Sequence, residues 1–286
     1  MNLMNLKGIR NTNGLYGVGR LTRFNSSLAA AAESLTSAAT KSQAATAESN
    51  LKRFWKNASV KCVEGRQIVH LDQRKLRTPA GNVLDLPQNK AALALLIAHE
   101  WQSQDKLIKP HALPITSLAS RALDSFKCEN EMENTCNDLI KYFETDAVSF
   151  FQDEPVQLVQ LQEKHWRPLI EWASKRYNTP IKVFENVIVC KQPQESRQRL
   201  LNEIKQFDQF TLAAFERIVM HTKSFLIGLA VIDRHLSIDQ ASQAAHVEVK
   251  SQIARWGEVE DSHDVDHQDI RKQIGSAACS LIESRH

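Results

Sequence analysis

The sequence predicts an α+β protein with segregated elements: a small β-rich N-terminal domain followed by a larger all-helical C-terminal domain. Two observations carry this. Between Arg53 and Pro87, short apolar–polar alternations are separated by tight-turn signals. Beyond Pro87 the apolar residues recur every three or four positions and continue to do so to the C terminus.

The β-rich part reads as an antiparallel meander. Residues 58–64 alternate around Val60 and Cys62, and Glu64-Gly65 signals a turn into the β-rich stretch 67–71. A second turn over 72–75, a strand over 76–79, a third turn at Ala80-Gly81-Asn82 and a last strand over 83–86 complete it. A helix follows over 89–104, with Leu93, Leu96, Ile97 and Trp101 on one face. Pro110 and Pro114 interrupt, and helices are expected over 116–126, 131–143 and 158–177, the last stopped by Asn178-Thr179-Pro180. After a strand-like piece at 181–190, the apolar face of Leu212, Phe215, Val219, Phe225, Leu226, Leu229 and Ile232 predicts one long central helix. Ser237 and Gln240 form a capping box opening a helix that runs to Trp256 and ends at Gly257. A last helix spans 264–283, with Ile270, Ile274, Ala277, Ala278 and Leu281 inward. The domains expected are 49–110 and 111–286, with no internal repeat.

Residues 1–48 are different in kind. Lys7, Arg10, Arg20 and Arg23 precede the first acid, Glu33, and Ser, Thr, Asn and Ala fill the rest. A basic, serine-rich, acid-poor leader with no apolar core is the composition of a mitochondrial transit peptide followed by a disordered linker.

Composition narrows the function classes. The chain has 286 residues and a net charge of +3, too small to imply nucleic acid as the main partner. Its longest apolar run, 225–232, is far short of the roughly 20 residues of a membrane span. The five cysteines form no C-x-x-C pair, so they read as free thiols, mostly buried. Neither a P-loop nor a dinucleotide fingerprint is present, and nine glycines leave little for a phosphate cradle. No G-x-S-x-G elbow occurs, and His99-Glu100 lacks the second histidine of a zincin, since position 103 is serine. No catalytic group, cofactor, small-molecule substrate or metal is expected. The best metal candidate, His263 and His267 at i, i+4, reads more simply as the solvated start of a charged helix. The acids around it, Glu258, Glu260, Asp261, Asp264, Asp266 and Asp269, could face a basic partner but read more simply as a wet surface.

Trp101, Trp166, Trp172 and Trp256 lie on apolar helical faces and are expected in the core. Glu248 is the residue that pattern leaves open. On a continuous helix it sits at the edge of a stripe made by Ile238, Ala241, Ala245, Val249, Gln252 and Trp256. A carboxylate there is either half-buried in a salt bridge or aimed at a groove.

Several stretches together resemble one family: Arg53-Phe54-Trp55-Lys56; Leu71-Asp72 with Arg74-Lys75-Leu76 and Thr78-Pro79; Glu100-Trp101 with Gln104; Thr145-Asp146; Glu154-Pro155 with Leu158, Gln162, Trp166, Pro168 and Trp172; Ile232-Asp233; Glu248; Trp256-Gly257; His263-Asp264. In this order and spacing they resemble the mitochondrial F(1)-ATPase assembly factor 2 family. The similarity spans about residues 52–283. It implies a matrix protein, not an enzyme, that binds the unassembled alpha subunit of the ATP synthase F(1) sector, prevents its aggregation and yields it to the beta subunit. It also implies that an acid at the position of Glu248 is tied to function. The client contact is therefore expected on Glu248, Gln252, Arg255 and Trp256. The alternatives are a metal-dependent hydrolase using His263 and His267, or a scaffold subunit of a larger complex.

Overall fold

The computed structural model describes residues 52–185 and 191–284. The leader expected over 1–48, the end of the strand-like piece 181–190, and Cys190 lie outside these residues.

A four-stranded antiparallel sheet comes first, built around β2. Strand β1 (Ala58–Val63) pairs with β2 (Arg66–Leu71) along its length, Val63 opposite Arg66. The two-residue turn between them needs positive φ at both positions; Glu64 takes +50° and Gly65 takes +74°. The other edge of β2 is shared by β3 (Arg74–Lys75) and β4 (Asp85–Pro87). The strand expected over 76–79 is reduced to one bridge, Arg77 to Val83. The cause is a side-chain contact from far along the chain: Asp124 accepts from Thr78 Oγ1 at 2.6 Å, Asn82 Nδ2 at 2.8 Å and Ala80 N at 3.3 Å, folding this stretch around its carboxylate.

Helix α1 (Ala91–Gln102) covers the sheet, with Leu93, Ala94 and Ile97 against Val69, Leu71, Leu84 and Leu86 in one core. Helix α2 (Pro114–Asp124) has no side-chain cap of its own. Glu100 of α1 supplies it, accepting from Ile115 N, Thr116 N and Thr116 Oγ1 at 2.7, 2.8 and 2.6 Å. Burial still raises the pKa of Glu100, against those hydrogen bonds. Beside it the Arg53 guanidinium donates to the carbonyls of Trp55, Lys56, Gln102 and Gln104, and Trp55 Nε1 donates to Trp101 O. These bonds lock the start of the folded chain to α1.

The helical part comprises α3 (Glu129–Glu144), α4 (Val156–His165), α5 (Arg167–Arg176), α6 (Gln194–Ile204), α7 (Gln209–Thr222), α8 (Phe225–Ile232), α9 (Ile238–Ala245), α10 (Val247–Trp256) and α11 (Glu260–Ser280). Helix α7 is central, flanked by α2, α8 and α11.

Three helices expected as single rods are each broken in two. The helix over 158–177 breaks at Trp166, because Pro168 has no N–H for the preceding turn and its ring crowds that turn's carbonyl. The helix over 212–232 breaks at Lys223, which takes a left-handed φ of +57°, and Ser224 then caps α8 by accepting from Ile227 N. The turn lets α8 fold back on α7. Gly228 makes the approach possible: a Cβ there would sit 2.7 Å from Phe215 Cε2 and 2.8 Å from Val219 Cγ2. The helix over 237–256 keeps its capping box but breaks at His246. Of the strand-like piece, the described residues 181–185 contribute one bridge, Phe184 to Phe150. Cys62 and Cys128 are exposed, contrary to the burial expected, whereas Cys136 is buried.

Candidate functional site, a groove beside helix α10

The break at His246 decides where α10 points. His246 is buried, and its ring lies 2.7 Å through Nδ1 from the Ser242 carbonyl. A carbonyl only accepts, so Nδ1 carries the proton. Trp166, 2% exposed, holds the same corner by donating Nε1–H to Ala244 O at 2.8 Å. The helical phase restarts here, so the stripe from Ile238 to Trp256 is not continuous. Within α10 only Val247 and Ser251 are buried. The helix leaves the core as it proceeds, and Trp256 at its end is 70% exposed, which corrects the expectation of a core tryptophan.

Opposite α10 stand residues 152–155 and the start of α4. Phe151 fixes this segment: its N–H donates to Phe184 O at 2.9 Å, its ring meets Trp166 edge-on at 6.0 Å, and the Arg167 guanidinium lies 5.0 Å over it. Gln162, buried, accepts from Gln152 N at 3.3 Å. Further back, Asp146 accepts from Val148 N at 3.1 Å and from Leu226 N at 2.9 Å, tying the segment to the N terminus of α8. Its complete burial pushes its pKa up to about 6, against the hydrogen bonds that lower it.

Between the two walls is a groove of about 590 Å³. Leu158 and Ser251 form its buried floor, and Pro155 and Trp256 give it apolar flanks. Gln152, Glu154, Glu248, Gln252 and Arg255 make a polar rim. All four residues singled out from the sequence, Glu248, Gln252, Arg255 and Trp256, thus line one groove. Glu248 is exposed, and among the described residues it has no ion-pair partner. The salt-bridge alternative is not what the structure adopts. The Arg255 guanidinium lies 5.3 Å over the Trp256 ring and not on Glu248. Sequence reasoning missed the opposite wall. Glu154-Pro155 and Leu158 were visible as residues, but their pairing with α10 is a contact across some ninety positions.

His263 and His267 sit behind α10. With His246, Val249, Lys250 and Ile253 they line a smaller hollow of about 300 Å³, and the His246 and His267 rings are 5.2 Å apart. Partial burial, and then His246 and nearby cations, lower the pKa of His267. Among the described residues no three His, Cys, Asp or Glu side chains converge as a metal-ligand set, and none of the described helices is long and apolar enough to cross a membrane.

What the groove offers is a surface: an exposed indole, two carboxylates and a guanidinium around a floor of Leu158 and Ser251. Those groups suit the capture of a segment of another protein. The class described is an α+β protein with a preformed surface groove beside helix α10.

The chain belongs to the ATP12 chaperone protein family. It matches that family over residues 52–174. It is 33% identical over 258 residues to the mitochondrial protein atp12 of Schizosaccharomyces pombe, covering 86% of this chain and 88% of that one. It is 28% identical over 273 residues to the mitochondrial ATP12 of Saccharomyces cerevisiae, covering 81% and 84%. The crystal structure of Atp12 from Paracoccus denitrificans superposes with a TM-score of 0.72 at 30% identity, covering 82% of this chain and 98% of that one.

Proposed function

We propose that this protein is an assembly chaperone of the mitochondrial matrix that binds the unassembled alpha subunit of the ATP synthase F(1) sector and yields it to the beta subunit. It does so without catalysis. Family membership supports the chaperone role, and the mitochondrial names of both yeast relatives support the compartment, as does the basic, acid-poor leader. The observation that carries the site is the groove in which exposed Trp256 lies together with Glu248, which has no ion-pair partner among the described residues.

The mechanism is mass action. A free subunit exposes apolar surface that it will later bury against its neighbour, and such surface aggregates. A chaperone that covers it lowers the concentration of the sticky species. Release needs no energy source if the beta subunit offers the larger interface, so the holding interface should be of moderate affinity. Trp256 provides the kind of anchor that dominates such interfaces, and Glu248 a charge-assisted contact beside it.

The test is capture from matrix extract by the folded chain, with and without excess beta subunit. Recovery of the alpha subunit alone, displaced by the beta subunit, is the result expected. Failure to recover alpha with folded bait would sink the reading. Persistent co-sedimentation with assembled ATP synthase would point to a scaffold instead.

A further inference from the structure

We infer that the groove beside α10 takes an arginine side chain from its protein partner, with Glu248 and Glu154 receiving the guanidinium and Trp256 stacking on it; this rests on the groove being the client site. The first reason is charge. Glu154 and Glu248 both line the groove, and neither has a hydrogen-bond or ion-pair partner among the described residues. The neighbouring acids Glu144 and Glu163 are each held by an arginine, at 2.8 and 2.5 Å. The rim thus carries two free carboxylates, and its one cation, Arg255, lies over the Trp256 ring with no ion pair to either among the described residues. A cationic guest is the complement.

The second reason selects the cation. Trp256 is 70% exposed, and Arg255 already lies 5.3 Å over its ring. The indole face is therefore a working platform for a guanidinium. An incoming arginine can stack there and still present its planar fork to a carboxylate, which a lysine ammonium cannot do. The third reason is shape. A groove of about 590 Å³ with Leu158 on its floor has room for the aliphatic stem of a long side chain and for an apolar neighbour. Arg255 then acts as a resident placeholder that a client arginine displaces.

The test uses the full chain and three peptide probes, acetyl-Ala-Leu-X-Leu-Ala-amide, with X as arginine, lysine or citrulline. The readout is the Trp256 indole N–H resonance, assigned with Trp256→Phe. The arginine peptide should shift it saturably. The lysine peptide should bind at least about fivefold more weakly, the citrulline peptide should not saturate, and Glu248→Gln should weaken the arginine peptide by about tenfold. Equal binding of the citrulline or lysine peptide, or binding of none of the three at millimolar concentration, overturns the inference. Alpha-subunit capture by Trp256→Ala is measured alongside. Loss of capture together with equal citrulline binding refutes the arginine pocket and leaves the client site standing. Retained capture together with selective arginine binding refutes the client site and leaves the pocket.

Discussion

Replacing Asp146 with alanine should destabilise the protein more at pH 5 than at pH 7.5. The carboxylate is fully buried, and its two oxygens accept from Val148 N and Leu226 N. Alanine orphans both donors, at about 1–3 kcal/mol each. Against this, the wild-type side chain is costly when charged: burial raises its pKa from 3.8 to about 6. The folded state therefore holds a proton that the unfolded state has lost. The stability this group contributes is full below pH 3.8 and falls as pH rises through 6. Between pH 5 and pH 7.5 that loss is about one pKa unit's worth, on the order of 1 kcal/mol. Alanine has no such loss, so the gap between variant and wild type should narrow by about that amount. Urea unfolding at the two pH values measures it. A gap that stays constant or widens with pH would show that Asp146 is not the buried carboxylate of raised pKa described.

Glu248→Lys and Trp256→Ala should each abolish alpha-subunit capture while leaving the melting midpoint and circular dichroism near wild type, because both side chains are exposed; an unfolded variant would instead assign a structural role. Gly228→Ala should destabilise by about 1–3 kcal/mol in denaturant titration, since its Cβ falls 2.7 Å from Phe215 Cε2; a neutral result would mean α7 and α8 are not in close contact. Trp166→Phe removes the bond to Ala244 O and leaves a void, so unfolding should cost at least about 1 kcal/mol less. The same change should reduce capture, because Trp166 fixes both walls of the groove, and unaltered capture would separate this corner from function.

The sequence by itself determined the fold class and most of the elements. Period-two alternation and the Glu64-Gly65 turn specify β1 and β2, and helical spacing specifies α1, α2, α3 and α11, because both signals are local. It also carried the four residues of α10 that line the groove. What it could not supply were the breaks and the second wall. The turn at Lys223 is stabilised by α8 folding onto α7, and the one at His246, beside the local contact of its ring with Ser242 O, by Trp166 on Ala244 O; the packing of α8 on α7 and the Trp166 bond exist only once the helices are assembled. Without the break at His246, the helical wheel buries Trp256. With it, only Val247 and Ser251 face inward and the tryptophan is delivered to solvent. Glu154, Pro155 and Leu158 join α10 across the groove because Asp146 and Phe151 are held by other parts of the chain and Gln162 holds Gln152 within the segment. Side-chain periodicity reports which face of an element is apolar. Which elements meet, and which residues remain uncovered where they do, is set by packing over long sequence separations, and that only the tertiary structure decided.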